Sequence, residues 1–308
     1  MEPFENNNQM IDDYICFCHN RKNLNSKTIK SYRIDLRQYK NYIEKNDMEW
    51  RGKQAIESYI EELHDHYKPK SVKRKIASLK AFFHYLELED IIENNPFHKI
   101  QIKYKEPFIL PKTIPLNSIK AIICYAYEQI KLATTVYSQK IALRNALILE
   151  LLFVTGMRIS ELCSLNLDQI DRNDYIIRIN GKGSKERLIQ ICNSKVQQLL
   201  DLYIDKTQND NNRFFFVNRR NNPLSEQSVR YMISNYAKKA RITQHITPHM
   251  FRHSFATLLL EEGVDIRYIQ QMLGHSSITT TQIYTHTSIS KQKIILATKH
   301  PRNKMEIQ

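Results

Sequence analysis

Arg158, Lys182, His249, Arg252, His275 and Tyr284 are the residues of this chain whose types could do chemistry together. Taken singly each is ordinary. An arginine in a helix is commonly a surface cation, a lysine among glycines is commonly an exposed turn residue, and Tyr284 is one of 17 tyrosines. As a set they answer the needs of metal-free phosphodiester cleavage. A nucleophile must attack phosphorus, and cations must neutralise the equatorial oxygens. An acid must protonate the leaving oxygen, and a base must take the nucleophile's proton. Two arginines can grip one phosphate through forked hydrogen bonds and keep their charge at any working pH. A lysine on a flexible hairpin can reach a leaving 5′ oxygen, and histidines titrate near neutrality and can donate or accept. A phenol of ordinary pKa ~10 can become a phenolate beside such cations. A phosphotyrosine conserves the bond energy, so rejoining needs no ATP. His253 stands four residues after His249, but the metalloprotease glutamate is missing because residue 250 is Met, and no third ligand is evident. No metal and no other cofactor is expected.

Helices and one hairpin must position these groups. Ile141 to Val154 is nearly all apolar and predicts a helix central to a core, with Gly156 placed to end it. A short helix follows around Ile159 to Ser164. Tyr175 to Asn180 and Glu186 to Ile191 are β-type runs joined by Gly181-Lys182-Gly183-Ser184-Lys185, a hairpin signal, and Phe214 to Val217 is a candidate third strand. Helices are expected near Ser225 to Ala240, Pro248 to Glu262, Asp265 to Leu273, and from Ser277 through Tyr284. Thr247 should cap the second of these and Gly263 and Gly274 mark stops. Earlier in the chain, Met10 to Arg21, Lys27 to Lys45 with Ser26 as cap, Lys53 to Tyr67, and Ser71 to Leu88 read as four helices. Between Asn94 and Pro115 lie Pro96, Pro107, Pro111 and Pro115 among Lys99, Lys103 and Lys105. This is a basic linker whose prolines block helix. The expected architecture is mainly α with a small β-sheet, with a helical domain over residues 1–105 and an α+β domain over 106–308.

Charge narrows the partner. The chain carries 46 Lys plus Arg against 32 Asp plus Glu, a formal net charge of +14, which favours a polyanion and places nucleic acid first. Residues 1–105 hold 19 basic and 16 acidic side chains, and residues 106–308 hold 27 and 16. Within the first domain Lys30, Arg33, Arg37 and Lys40 share one helical face, and Lys70, Lys73, Arg74 and Lys75 cluster at the start of the fourth helix. Such faces can track phosphates or enter a major groove, although a charge run more commonly means a solvated face. No apolar run approaches the ~20 residues of a membrane span. The polar N-terminus has no signal-peptide pattern, and five cysteines without a CxxC pair suggest neither a disulfide framework nor a zinc ribbon. A reducing cytoplasm fits.

The segments VTGMRISEL (154–162), INGKGSKERLIQI (179–191), TPHMFRHSFATLLLEEGVDIRYIQQMLGHSS (247–277) and ITTTQIYTH (278–286) resemble the tyrosine recombinase (phage integrase) family, above all its Xer-like branch. They stand in that family's order and spacing and cover about half the chain. The terminal KHPR (299–302) is also similar to Xer chains. The resemblance implies a four-helix, SAM-like core-binding domain followed by a catalytic domain. It implies that Arg158 and Arg252 bind the scissile phosphate, Lys182 protonates the leaving 5′ oxygen, His249 assists proton transfer, and His275 donates a hydrogen bond. Tyr284 then attacks to leave a 3′-phosphotyrosine, with Glu161 supporting the site from behind. It further implies double-stranded DNA with paired inverted-repeat sites, a homo-tetramer or a hetero-tetramer with a related recombinase, strand exchange through a Holliday junction, and action on the nucleoid. The tail, with a helix near Ile289 to Ala297, would pack into a neighbouring subunit.

Gln190 stands where Xer chains often carry proline, and the stretch from Glu128 to Gln139 is longer than usual. Two other readings remain at this point. A type IB topoisomerase uses similar groups, and a DNA-binding relative could have lost catalysis. The GKGSKER and LGHSS segments favour a recombinase over the first, and the presence of all six groups weighs against the second.

Overall fold

In the computed structural model the described residues are 7–101, 112–180, 186–207, 212–274 and 293–306. The chain divides into two compact units, Met1–Ile109 and Leu110–Gln308, each with its own apolar core.

The first unit is built from α1 (Asn7–Asn20), α2 (Ser26–Asn46), α3 (Lys53–His66) and α4 (Pro69–Leu88). Its helices start and stop where local chemistry dictates. The Asn25 side chain, rather than Ser26, caps α2 by accepting from the Lys27 amide, and Asp47 closes the same helix in the left-handed region. Pro69 fits at the first position of α4, where no amide is needed. Buried residues at helical spacing, such as Leu36, Tyr39 and Ile43 on α2 or Val72, Ile76 and Leu79 on α4, face an aromatic interior of Tyr14, Tyr39, Tyr59, Phe82 and Phe83.

The second unit contains α5 (Leu116–Leu132), α6 (Val136–Thr155), α7 (Ile159–Cys163), β1 (Ile170–Asp171), β2 (Ile176–Asn180), β3 (Glu186–Gln190), α8 (Ser194–Thr207), α9 (Glu226–Lys239), α10 (Pro248–Glu261) and α11 (Ile266–Leu273). Helix α6 is the expected central one. It is buried on every side from Ala146 to Thr155, and α5, α8 and α10 pack around it. Each fully buried Leu or Phe there stabilises the fold by about 1.5–3 kcal/mol. The helix begins five residues earlier than its apolar run, because Thr135 and Ser138 form a reciprocal capping box. It ends at Gly156, whose φ of +59° is left-handed. A Cβ there would also lie 2.8 Å from both Leu273 and Phe255, so glycine is required twice over.

The strands of the hairpin pair in antiparallel register, with Ile177 opposite Ile189 and Ile179 opposite Arg187. The third strand is a correction. It is Ile170–Asp171, added to the β2 edge, whereas Phe214 and Val217 make only isolated bridges to Asn166 and Pro223. Helices α5 and α8 were not among the expected elements. Both carry the signal, for Ile119, Ile122, Ile123 and Ala126, and Val196, Leu199, Leu200, Tyr203 and Ile204, recur at helical spacing and are buried. The connecting loop of the hairpin, the expected helix through Tyr284 and residues 102–111 of the linker lie outside the described residues.

Residues 293–299 are helical, and the chain after them returns to its own unit. Leu296 and Met305 join the core, and the Arg302 guanidinium grips Glu150 of α6. Of the segment expected to pack into a neighbour, Leu296 and Met305 are buried in its own unit, whereas Ile294 is 62% exposed. Among the described residues no helix is long and apolar enough to cross a membrane.

Candidate active site and nucleic-acid interface

Three elements of the second unit bring cations together. The sharp turn after α6 places Arg158 at the extended position just before α7. Its backbone amide donates to Glu161 Oε2 at 2.7 Å and its Nη1 to Oε1 at 2.8 Å. The Glu161 side chain is 7% exposed, while the Arg158 side chain remains 36% exposed. Helix α10 opens on Pro248 with Thr247 before it, although the Thr247 side chain makes no capping bond. The first turn then carries His249 and, one turn further, Arg252. Arg252 is buried, and its Nη1 and Nη2 donate to the carbonyls of Gly156 at 2.9 Å and Leu273 at 2.7 Å. It thus ties the end of α6 to the end of α11. Carbonyls at a helix C-terminus lack partners of their own and carry partial negative charge, so a guanidinium suits them.

The electrostatics show that these groups share one neighbourhood. Burial lowers the Arg252 pKa, and repulsion from Arg158 and Arg187 lowers it further, to about 10. His249 is pushed below its ordinary value first by partial burial, then by His253, Arg252, Arg230 and Arg158. Burial alone would raise the Glu161 carboxyl, but hydrogen bonds and charge from Arg187, joined by Arg158, hold it below the usual carboxylate range. Several cations around one carboxylate leave a net positive cluster at the head of a helix, an arrangement that suits a bound phosphate.

Of the six residues read from the sequence as reactive, Arg158, His249 and Arg252 are brought together. Lys182, His275 and Tyr284 lie outside the described residues. Glu161 accepts hydrogen bonds from the amide and Nη1 of Arg158. Arg187 went unnoticed in the sequence. It lies on β3, where Nη1 and Nη2 clasp Glu161 at 3.0 and 2.7 Å and Nε donates to the Met272 carbonyl at 2.9 Å. A signal existed. Arg187, Ile189 and Ile191 fall on one face of a strand, and both isoleucines are buried, so a charge in that register demands a partner.

The first unit offers a different surface. Lys30, Arg33 and Arg37 of α2 and Lys70, Lys73 and Arg74 of α4 are exposed, while Lys40 is half-buried. Arg33 lies 3.5 Å from Asp12, and Lys40 serves Glu44 and Asn8. Lys75 is a correction to the expected contact face. Its side chain is only 4% exposed, and its ammonium donates to Asp35 at 3.1 Å and to Gln38. Asp35 is itself buried and also takes hydrogen bonds from Arg74 and, at 2.8 Å, from Ser78. Lys75 therefore holds α2 against α4 instead of reaching outward.

Comparison with known proteins supplies the family. The description "Phage integrase family" matches residues 125–291, and "Phage integrase, N-terminal SAM-like domain" matches residues 11–90. A protein named tyrosine recombinase from Agathobacter rectalis is 55% identical over 294 residues, covering 95% of this chain and 96% of its own length. Tyrosine recombinase XerD from Listeria innocua is 33% identical over 306 residues, covering 96% of this chain and 99% of its own. The same fold occurs in a lambda integrase dimer bound to a COC′ core site (18% identity, TM-score 0.67, 88% of this chain and 95% of that one). It occurs too in XerH site-specific recombinase bound to palindromic difH substrate (22% identity, TM-score 0.67, 91% and 82%). The chain, matched in both its units and by relatives over nearly its whole length, belongs to the phage integrase family of tyrosine recombinases, enzymes that break and rejoin DNA.

Proposed function

We propose that this chain is a site-specific recombinase that cleaves DNA by attack of the Tyr284 phenol on a scissile phosphate. Attack forms a 3′-phosphotyrosine and frees a 5′-hydroxyl, and reversal onto a partner strand passes through a Holliday junction. The observation that carries the reading is the convergence of Arg158, Arg252 and His249, with Glu161 behind the two arginines. Two guanidiniums held from behind by Glu161 and by backbone carbonyls suit the non-bridging oxygens of one phosphate. His249, whose pKa is lowered by partial burial and by the neighbouring cations, can accept a proton and return it. Lys182 would protonate the leaving oxygen and His275 would donate a hydrogen bond to the phosphate. The exposed cations of α2 and α4, Lys30, Arg33, Arg37, Lys70 and Lys73, would track the DNA backbone, with Lys40 and Arg74 able to join them by exchanging partners. The protein would act in the cytoplasm on nucleoid DNA, at paired inverted repeats and as a tetramer, with no metal or ATP.

The test is capture on nicked suicide duplexes, in which the strand fragment carrying the 5′-hydroxyl diffuses away. A denaturation-resistant protein–DNA adduct that disappears in Tyr284→Phe is the expected result. Efficient relaxation of supercoiled plasmid lacking a target site would point instead to a monomeric topoisomerase. Binding without any adduct would leave a DNA-binding protein.

A further inference from the structure

We propose that Arg187 is a positioning residue that fixes the orientation of Arg158 and its spacing from Arg252. The role rests on the recombinase reading above. Glu161 receives four hydrogen bonds: the Arg158 amide, Arg158 Nη1, and the two-pronged fork of Arg187. A carboxylate has about four acceptor directions, so this one is saturated and cannot swing. Arg158 is thereby held at one edge of its guanidinium while the side chain keeps its exposure.

The third donor of Arg187 adds a second constraint. Nε bonds the Met272 carbonyl, and Arg252 bonds the carbonyl of the next residue, Leu273. Two arginines from different elements thus hold successive carbonyls at the end of α11. One reaches back to Glu161 and Arg158, the other to Gly156. The path from Arg158 to Arg252 closes through Arg187. Gly274 marks how tightly Arg187 is seated, since a Cβ there would come within 3.1 Å of its Cδ. Lysine could not replace this fork, because one ammonium cannot span both carboxylate oxygens in plane and still reach a backbone carbonyl. All three nitrogens of the Arg187 guanidinium donate to protein, and the role inferred for it is to hold Arg158 through Glu161.

Displacement of a phosphate-binding group by about 1 Å is enough to slow chemistry roughly 100-fold. The expected signature is a loss in rate at saturation without a loss in affinity. The probe is a nicked duplex selected from a randomised pool for covalent capture by the wild-type protein, with Tyr284→Phe as control. In Arg187→Lys, single-turnover adduct formation at saturating protein should fall about 10- to 100-fold, while the half-saturating concentration and the thermal midpoint stay near wild type. An unchanged rate, or a loss confined to half-saturation or proportional to unfolding, overturns the positioning role. Glu161→Gln/Arg187→Gln removes both buried charges and guards against a purely structural explanation. It should fold at wild-type stability yet remain slow, and recovery of the wild-type rate would mean that Arg187 merely balances Glu161. If the wild-type chain captures no duplex through Tyr284, the recombinase reading falls first. If capture is normal and only Arg187→Lys is silent in effect, the positioning role falls alone.

Discussion

Two buried carboxylates in the catalytic unit are each held by arginine, and they are built for opposite purposes. Glu150 on α6 is fully buried, and Arg302, 1% exposed, chelates it at 2.6–3.0 Å with the Tyr127 hydroxyl at 3.1 Å. One negative charge meets one positive charge. Attraction to Glu150 outweighs burial and raises the Arg302 pKa. Glu161 is also buried, but it sits among Arg158, Arg187 and Arg252, and Arg158 keeps access to solvent. The first pair is electrically closed and locks the tail to the core. The second leaves positive charge over, at an opening, where only an incoming anion can balance it. Burial of an ion pair alone says little about function, and the surplus of charge at an exposed edge is what distinguishes a site.

The largest effect expected is on the closed pair. Arg302→Met leaves Glu150 buried without its cation and should cost about 3–5 kcal/mol of stability in urea unfolding. The Glu150→Gln/Arg302→Met double substitution should recover much of that loss. If Arg302→Met unfolds like wild type, the pair is not the lock described. Arg252→Ala and Arg158→Ala attack the open cluster. Each should slow cleavage of a nicked duplex about 10²–10³-fold while DNA binding persists, and unchanged cleavage rates would remove them from the phosphate.

Smaller effects sharpen the contrast through pH and salt. His300 lies beside Arg302, packed against Phe153 and Phe255, and burial lowers its pKa to about 4. The native ring is neutral where the unfolded one protonates near pH 6.5. Stability from this residue is full above that pH, declines as pH falls, and levels off below about 4. Between pH 7 and 5 the loss amounts to about 2 kcal/mol, and His300→Gln should flatten that part of the curve in thermal melts. Parallel curves would deny the ring its role. In the first unit, Lys30→Ala and Arg37→Ala should each reduce the salt slope of DNA binding by about 1. Lys75→Met should lower stability and leave that slope alone. Identical salt behaviour for all three would erase the distinction between the outward cations and the buried one.

The sequence by itself determined the elements whose pattern is local. The apolar run of α6 predicts a core helix because every face must be buried. Gly156 and Gly274 stand where left-handed helix ends occur, at φ of +59° and +65°. The two β-type runs around a glycine loop pair in antiparallel register, whereas the gathering of Arg158, His249 and Arg252 is a matter of tertiary packing that only the resemblance of their motifs to a known family led one to expect. Four N-terminal helices follow equally from apolar spacing and turn residues. Tertiary structure alone decided which charges face inward and what they meet. Lys75 and Lys73 read alike in a basic run, yet only Lys75 falls on the face that α4 turns toward Asp35. Arg187 finds Glu161 across 26 positions, and Arg302 finds Glu150 across 152. Periodicity reports which face of an element is apolar, because that depends on neighbours one turn or two residues away. The partner of a buried charge depends on how distant elements pack, and no local spacing encodes it.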